Sequence, residues 1–396
     1  MALSADVAVV GAGLVGAVAA LGLARKGYSV VVAEQRKPEI QRGRLGMDIR
    51  NIALSPASQA LLDRLDVWRS VSRAAPYKRM HVWEERGTKG MDFRATSVGR
   101  VELGWILEQS LLVTLLWQRL EEEPCIELML GASLIGIRPD NHVVRLVTDQ
   151  DEVETKMLIG ADGARSAVRE MLGVHAEVVD TGHHALASVV RTEVAHENVA
   201  YQRFLLSGPL ALLPGVDPNL SSVVWSQPPE DAARRRNMSE AQFCEELAES
   251  LDHRLGAVEA VDERNVFPLQ QMLVRSFNPH PRVLLIGDAA RVLHPLAGLG
   301  VNLGFEDVRD VLDQLHHPGS YDPGADGLWR RFARRRRARS QMLIGLMTAF
   351  RRVYAASDPL LQWARNAGVG WLDNATGIKA QLIREALGLG SVAERL

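Results

Sequence analysis

The feature that most restricts the fold is a strand, a glycine turn and a helix packed into the first 34 residues. Residues Asp6 to Val10 (DVAVV) form a short β-branched run of the kind found in buried parallel strands. The run leads into Gly11-Ala12-Gly13-Leu14-Val15-Gly16, a G-x-G-x-x-G sequence opening an apolar helical stretch that ends near Gly27. Ser29 to Ala33 (SVVVA) predicts a second strand with Glu34 at its end. In such a βαβ unit the first glycine permits the tight turn, the second lets a pyrophosphate approach the backbone, and the third lets helix pack on strand. Unpaired N–H groups at the helix start would hold the phosphates, and Glu34 would accept hydrogen bonds from ribose hydroxyls. The unit predicts a bound dinucleotide and leaves NAD and FAD open. Val7 to Ala24 is uncharged and long enough to suggest a membrane span or signal peptide. The opening MALSAD lacks a positive segment and three glycines interrupt the stretch at fixed spacing, so the strand, turn and buried helix are preferred.

Two later segments repeat the pattern of an apolar strand ending in glycine. Lys156 to Ala164 (KMLIGADGA) ends in Gly160-Ala161-Asp162-Gly163, and Arg282 to Ala290 (RVLLIGDAA) ends in Gly287-Asp288. The second continues through His294-Pro295-Leu296-Ala297-Gly298-Leu299-Gly300-Val301-Asn302. Gly-Asp is common at strand ends as a turn. Three such motifs spread over most of the chain suggest one long ligand crossing the ends of a sheet, which a plain NAD domain does not need.

The set GAGLVG, GADGARS and GDAARVLHPLAGLGVNLG resembles the FAD-dependent aromatic hydroxylases, of which para-hydroxybenzoate hydroxylase is the type enzyme. DIRNIALSPAS (48–58), YQRF (201–204), GPLALLP (208–214) and the C-terminal RNAG and ALGLG resemble the ubiquinone-biosynthesis hydroxylases more closely, in the right order along almost the whole chain. The resemblance implies a Rossmann-type α/β FAD-binding domain, an inserted antiparallel β-sheet substrate domain and a C-terminal helical region. Gly11, Gly13 and Gly16 would hold the FAD pyrophosphate and Glu34 the adenosine ribose. Arg50 would reach the phosphates or ribityl chain, and Gln109, in QSLL, would contact the cofactor. Asp162 marks a fingerprint that supports FAD and handles reduced nicotinamide nucleotide, while Asp288 would bind the ribityl hydroxyls. Pro295, Gly298, Leu299, Gly300, Val301 and Asn302 would surround the flavin ring, with no acid or base among them. Gly298 to Gly304 opens a predicted helix whose N-terminal dipole would favour an anionic reduced flavin. Two departures from the family pattern stand out: Arg291 replaces the usual histidine of GDAAH, and Leu299 replaces the usual glutamine between two glycines. Both bear on substrate orientation.

The 396 residues, 47% hydrophobic and 24% charged, are sufficient for two or three ordinary globular domains. The net charge of -2 argues against nucleic acid as the main partner. Cys125 and Cys244 predict two reduced thiols and a cytoplasmic protein, and the paired histidines 183–184 and 316–317 lack metal-ligand spacing. His294 reads as structural. Residues 1–75, 100–180 and 275–325 gather the flavin motifs into a discontinuous domain. Residues 76–99 and 181–274 read as the substrate sheet, with a helix at 239–255, and 326–396 as helical. Leu343, Leu346, Met347, Phe350 and Tyr354 recur at helical spacing and predict a core-facing stripe. Ahead of them stand Arg330, Arg331, Arg334, Arg335, Arg336, Arg337 and Arg339. This basic run is read first as a solvated helix face pairing with acids; an anionic lipid surface weighs equally if the substrate is a polyprenyl phenol.

The chemistry implied is ring hydroxylation by FAD, NAD(P)H and O2 through a C4a-hydroperoxyflavin, on an electron-rich and prenylated phenol of ubiquinone biosynthesis. The partners implied are that substrate, O2, and a biosynthetic complex or the surface of the inner membrane. The alternatives are a soluble hydroxylase of secondary metabolism and a non-catalytic flavoprotein scaffold, the latter drawing on Leu299 and Arg291. The GADG and GDAA motifs disfavour a plain NAD dehydrogenase. The unfinished Gly104-Trp105-Ile106 disfavours a halogenase.

Overall fold

The computed structural model describes residues 3–85, 90–293, 299–319 and 321–355. Its helices among these residues are α1 (Leu14–Arg25), α2 (Pro56–Arg64), α3 (Gln109–Glu122), α4 (Ala167–Met171), α5 (Pro229–Asn237), α6 (Glu240–Glu249), α7 (Leu299–Gln314) and α8 (Arg330–Ala355).

The N-terminal unit forms as its sequence dictates. Leu3–Val10 lies between Val30–Glu34 and Glu152–Gly160, parallel to both, and Ile126–Leu130 and Val283–Leu285 extend the parallel array on either side. Val144–Thr148 and Leu134–Pro139 complete this seven-stranded sheet in antiparallel fashion. Ten of the twelve residues of α1 are buried, so it is a core helix without a polar face. It packs with the sheet, α3 and α7 in one cluster that also takes in Trp329, just before α8, and Phe332 within it.

A second, nine-stranded sheet runs Arg291–Val292, Asn265–Val274, Ala176–Thr192, Leu220–Gln227, Gly208–Pro214, Val199–Leu205, Arg79–Glu84 and Met91–Arg94, with Val258–Val261 also on Ala176–Thr192. Its pairings are antiparallel except between Val199–Leu205 and Arg79–Glu84. That exception follows from connectivity: the 79–94 hairpin enters from a separate part of the chain, so no hairpin turn fixes its direction relative to Val199–Leu205. Residues alternate between the two faces of a strand. Leu186, Leu210, Leu212, Val223 and Trp225 share one face and pack on Phe243, Cys244 and Leu247 of α6. A small third sheet comprises Asn51–Leu54, Gly104–Glu108 and Ala74–Tyr77, and brackets the 79–94 hairpin in sequence.

Two helical expectations change in detail. The helix expected at 239–255 ends at Glu249, because Asp252 and His253 adopt left-handed φ values of 53° and 51°. On α8, the stripe predicted from Leu343, Leu346 and Met347 holds at Met347 and at the half-buried Leu343 but not at Leu346. Phe332, Arg336, Ser340 and Met347 are buried, whereas Leu346 is 58% exposed. A salt-bridged arginine, Arg336, continues that face toward the N-terminus of the helix, where apolar spacing gave no sign of it. Phe350 and Tyr354 have side chains outside the described residues. Among the described residues no helix is long and apolar enough to cross a membrane.

His196 links the fold to pH. Its Nδ1 accepts from the Asn198 N–H at 3.1 Å, while Nε2 lies 3.1 Å from both the Gly215 and Asp217 carbonyls, which fixes the neutral tautomer protonated on Nε2. Burial holds this imidazole below its ordinary value of 6.5, against the carbonyl bonds that raise it. The unfolded chain therefore binds a proton that the folded chain refuses, so His196 stabilises above about pH 6.5 and that stability is lost as pH falls toward the depressed value. In urea unfolding, the native protein is expected to lose more stability between pH 7.5 and 5.5 than His196→Gln. Equal losses would contradict this assignment.

Candidate functional site

The three glycines of the first motif occupy different environments. Gly11 has φ +96° and lies so close to the second motif that a Cβ would stand 2.6 Å from the Ala161 carbonyl oxygen and 2.7 Å from the Asp162 Cα. A Cβ on Gly16 would lie 1.9 Å from the Gly11 oxygen. On Gly13 it would meet nothing within 4 Å. Two glycines thus serve close backbone packing, and the middle one faces open space at the N-cap of α1. No side chain caps α1 there and no acid stands in its first turn, which leaves its N–H groups available.

The third motif meets the same turn. The Val15 side chain would be 3.2 Å from a Cβ on Gly287 and 2.4 Å from one on Gly304. Motifs far apart in sequence therefore converge on the first turn of α1. Glu34 secures the loop: its Oε2 accepts from the Ala12 N–H at 2.8 Å and its Oε1 from the Gln35 and Arg36 N–H groups at 2.8 and 3.2 Å. A carboxylate has about four acceptor positions, so the half-exposed Glu34 keeps capacity for a ribose hydroxyl. Trp117 Nε1 donates to the Ala12 carbonyl at 2.9 Å from the other side.

Arg50 and Gln109 are joined by the Gln109 N–H donating to the Arg50 carbonyl at 2.9 Å. The Arg50 side chain is exposed. Their positions rest on residues that the sequence motifs left without a role. Asp48, buried, accepts from the Arg50 N–H and the Ser110 N–H at 2.9 and 3.2 Å. Glu108, also buried, accepts from the Asp48 N–H at 2.9 Å and from Arg73 Nε at 2.6 Å, while Arg73 Nη2 holds the Gly46 carbonyl. The signal for Asp48 was present in DIRNIALS. Arg73 and Glu108 had none, since only the fold brings them together.

Asp162 Oδ2 accepts from the Val168 N–H at 3.0 Å, and its Oδ1 is buried with no hydrogen-bond partner among the described residues. Asp288 is exposed on its turn, yet desolvation raises its carboxyl above the ordinary range; Arg291 opposes this shift and Asp307 adds to it. Gly300 is exposed and Val301 half-buried in the first turn of α7. Asn302 is committed to the protein: Oδ1 accepts from the Ser55 N–H and Ser58 Oγ at 2.9 and 2.6 Å, and Nδ2 donates to the Ala53 carbonyl at 2.8 Å. It pins α7 to the segment following Asn51–Leu54. Pro295, Gly298 and the Leu299 side chain lie outside the described residues.

The face of the nine-stranded sheet opposite α6 carries Ala185, Ala187, Val189, Ala211, Leu213, Ser222 and Val224 in register. Met47, from the loop that leads to Arg50, packs on Val189 and Leu220 at its edge. Ser222 Oγ is buried there without a hydrogen-bond partner among the described residues. Beside the same loop lies a polar cleft of about 660 Å³ whose lining includes Arg42, Asp48, Arg236 and Arg264. The Arg42 and Arg236 side chains are exposed.

These features fit FAD. Open space at Gly13, an uncapped helix N-terminus, the buried free oxygen of Asp162 and an exposed arginine together match a ligand with a pyrophosphate and a chain of hydroxyls.

Comparison with known proteins points the same way. The FAD binding domain family matches residues 4–345. The 3-demethoxyubiquinol 3-hydroxylase of Escherichia coli (strain K12) is 34% identical over 389 residues, covering 97% of this chain and 98% of that protein. The ubiquinone hydroxylase UbiL of Rhodospirillum rubrum is 30% identical, covering 97% and 90%. Among solved structures, p-nitrophenol 4-monooxygenase PnpA from Pseudomonas putida DLL-E4 superposes with a TM-score of 0.78 at 20% identity, covering 99% of this chain and all of that one. This last likeness is one of fold.

Proposed function

From the premise that the chain belongs to the FAD binding domain family, alongside the hydroxylases of ubiquinone biosynthesis, we propose that it hydroxylates a prenylated phenol on the route to ubiquinone. It is an FAD-dependent aromatic-ring monooxygenase using NAD(P)H. The observation that carries the reading is the convergence of the three glycine motifs on one helix N-terminus, combined with likeness to ubiquinone hydroxylases over nearly the full chain.

The chemistry a bound FAD would supply is acceptance of hydride from NAD(P)H and insertion of one atom of O2 into an electron-rich ring. The protein's part is to bind, orient and keep water out. Gly11, Gly13, Gly16 and the first turn of α1 would hold the pyrophosphate, and Glu34 the adenosine ribose. Arg50 and Gln109 would meet the phosphates and ribityl chain, Asp162 the cofactor at the second motif, and Asp288 the ribityl hydroxyls. Pro295, Gly298, Leu299, Gly300, Val301 and Asn302 would border the ring, with α7 presenting its N-terminal dipole. Asn302 would act through its backbone, since its side chain fixes Ser55 and Ala53. The small apolar side chains opposite α6 suit an aromatic ring with an apolar tail. Burying that ring excludes water and aligns the reacting carbon. The cleft at Arg42 and Arg236 offers two guanidinium groups to an anionic reductant.

Association with a membrane surface or a biosynthetic complex remains part of this proposal. The basic run gives it limited support, because Arg330, Arg335, Arg336 and Arg339 are paired with acids. Turnover with a prenylated phenol, NADPH and isotopically labelled oxygen tests the whole reading. One labelled oxygen atom should enter the ring. Reductant consumption that yields peroxide and unchanged phenol across a series of prenylated phenols would overturn it.

A further inference from the structure

Arg291 closes a buried charge cluster beneath the Gly287–Asp288 turn. Asp307 of α7 is completely buried. Its Oδ2 accepts from the Gly287 N–H at 3.0 Å and from Arg291 Nη1 at 2.6 Å. Its Oδ1 accepts from Arg336 Nε of α8 at 2.5 Å. Arg336 also donates through Nη2 to the Leu303 carbonyl at 3.0 Å and through Nη1 to Glu306 Oε2 at 2.9 Å. The two arginines are only 3% and 4% exposed. One carboxylate thus ties together the turn, α7 and α8.

We infer that Arg291, Asp307 and Arg336 form a positioning clasp that holds the Gly287–Asp288 turn in the shape that receives the flavin, making α8 part of the cofactor site's support. Three observations carry this. Gly287 has φ +58°, and its N–H is fixed by the clasp itself, so the turn's conformation and the carboxylate's position are coupled. Asp288 follows immediately and is exposed, so a small rotation of the turn moves its carboxylate. Two guanidinium groups on one buried carboxylate are expensive to desolvate, and packing alone would be served as well by apolar residues. Arg336 instead donates through all three guanidinium nitrogens, a planar fork that fixes direction. None of the three residues needs to touch the cofactor.

The inference rests on the FAD reading, and the experiment separates the two. FAD dissociation constants and flavin midpoint potentials would be measured for the native protein and for Arg291→Met, Arg291→Lys, Arg336→Met and Arg336→Lys. Thermal unfolding of each apoprotein would be recorded in parallel. Arg330→Met, which breaks only a surface pair with Asp326, is the control. The two methionine variants should bind FAD about tenfold or more weakly, the scale usual when a group behind a ligand contact is removed, and should shift the potential. Arg291→Lys, able to keep the single bond that Arg291 Nη1 gives Asp307, should recover most of the affinity, Arg336→Lys, which cannot replace three donating nitrogens, should not, and Arg330→Met should match the native protein. Native affinity and potential in the methionine variants, with only a lower apo unfolding temperature, would overturn the inference. If those variants cannot be obtained folded, Arg336→Lys decides: it keeps the charge but loses the fork, so weakened FAD binding supports the clasp and native binding overturns it. A native protein that binds no FAD would instead sink the underlying reading.

Discussion

Gly13→Asp should abolish flavin binding while leaving the apoprotein folded. Gly13 has φ -67° and ψ -171°, a conformation open to any residue, and a Cβ there meets nothing within 4 Å. Aspartate is moreover a favoured N-cap, so the apo helix should hold its stability or gain roughly a few tenths of a kcal/mol. The added carboxylate would occupy the space offered to a pyrophosphate and repel it. Like charges about 4 Å apart cost roughly 1–4 kcal/mol between bulk-water and near-surface screening. With two phosphates and the lost space, the FAD dissociation constant should rise about 100-fold or more. Fluorescence titration with FAD, alongside thermal unfolding of the apoprotein, checks both halves. Near-native FAD affinity would place the pyrophosphate elsewhere. Gly16→Ala makes the informative contrast, because its Cβ would lie 1.9 Å from the Gly11 oxygen and the turn itself must break.

Asp307→Ala should be among the most destabilising single substitutions in the chain. It removes the acceptor of three hydrogen bonds and leaves Arg291 and Arg336 buried with less counter-charge. Breaking a buried pair by deleting one partner costs about 3–5 kcal/mol, because the remaining charge stays desolvated. Glu306 and Asp310 still face Arg336, so Arg291 carries most of the loss. Chemical denaturation of the apoprotein, independent of FAD, should show it. A cost near that of an ordinary surface substitution, within about 0.5 kcal/mol, would mean that the cluster is not a structural keystone.

The parts of this protein that were legible in its sequence are those where backbone geometry leaves few residue choices. Gly11 and Gly16 are glycines because neighbouring backbone atoms leave no room for a Cβ, so the motif and its βαβ frame could be read directly. The strands at 201, 210 and 221 announced themselves through alternation and β-branched content. What escaped was burial of charge. Asp307 lies in an apolar row with Leu303 and Val311, and a charged residue in such a row signals a buried partner. That partner, Arg336, was hidden inside a run of seven arginines that read as solvated. The run is in fact divided, with Arg336 inside and Arg330, Arg331, Arg334 and Arg335 outside. The α5 helix was missed for a related reason. It has Pro at its start, acids in its first turn and arginines in its last, but only Ala232 and Arg235 are buried, so no apolar period marks it. Support for the scaffold alternative also narrows, since Arg291 has a structural account as a partner of Asp307.

The central claim is that this chain holds FAD and uses it to hydroxylate a prenylated phenol. Stopped-flow flavin absorbance during mixing with NADPH in air, with and without such a phenol, tests it most directly. The account predicts a bound yellow flavin, reduction accelerated by the phenol, and reoxidation that yields hydroxylated product. Bound flavin that no candidate phenol renders reducible would contradict the enzymatic reading, and a protein that takes up no FAD would contradict the account from its first premise.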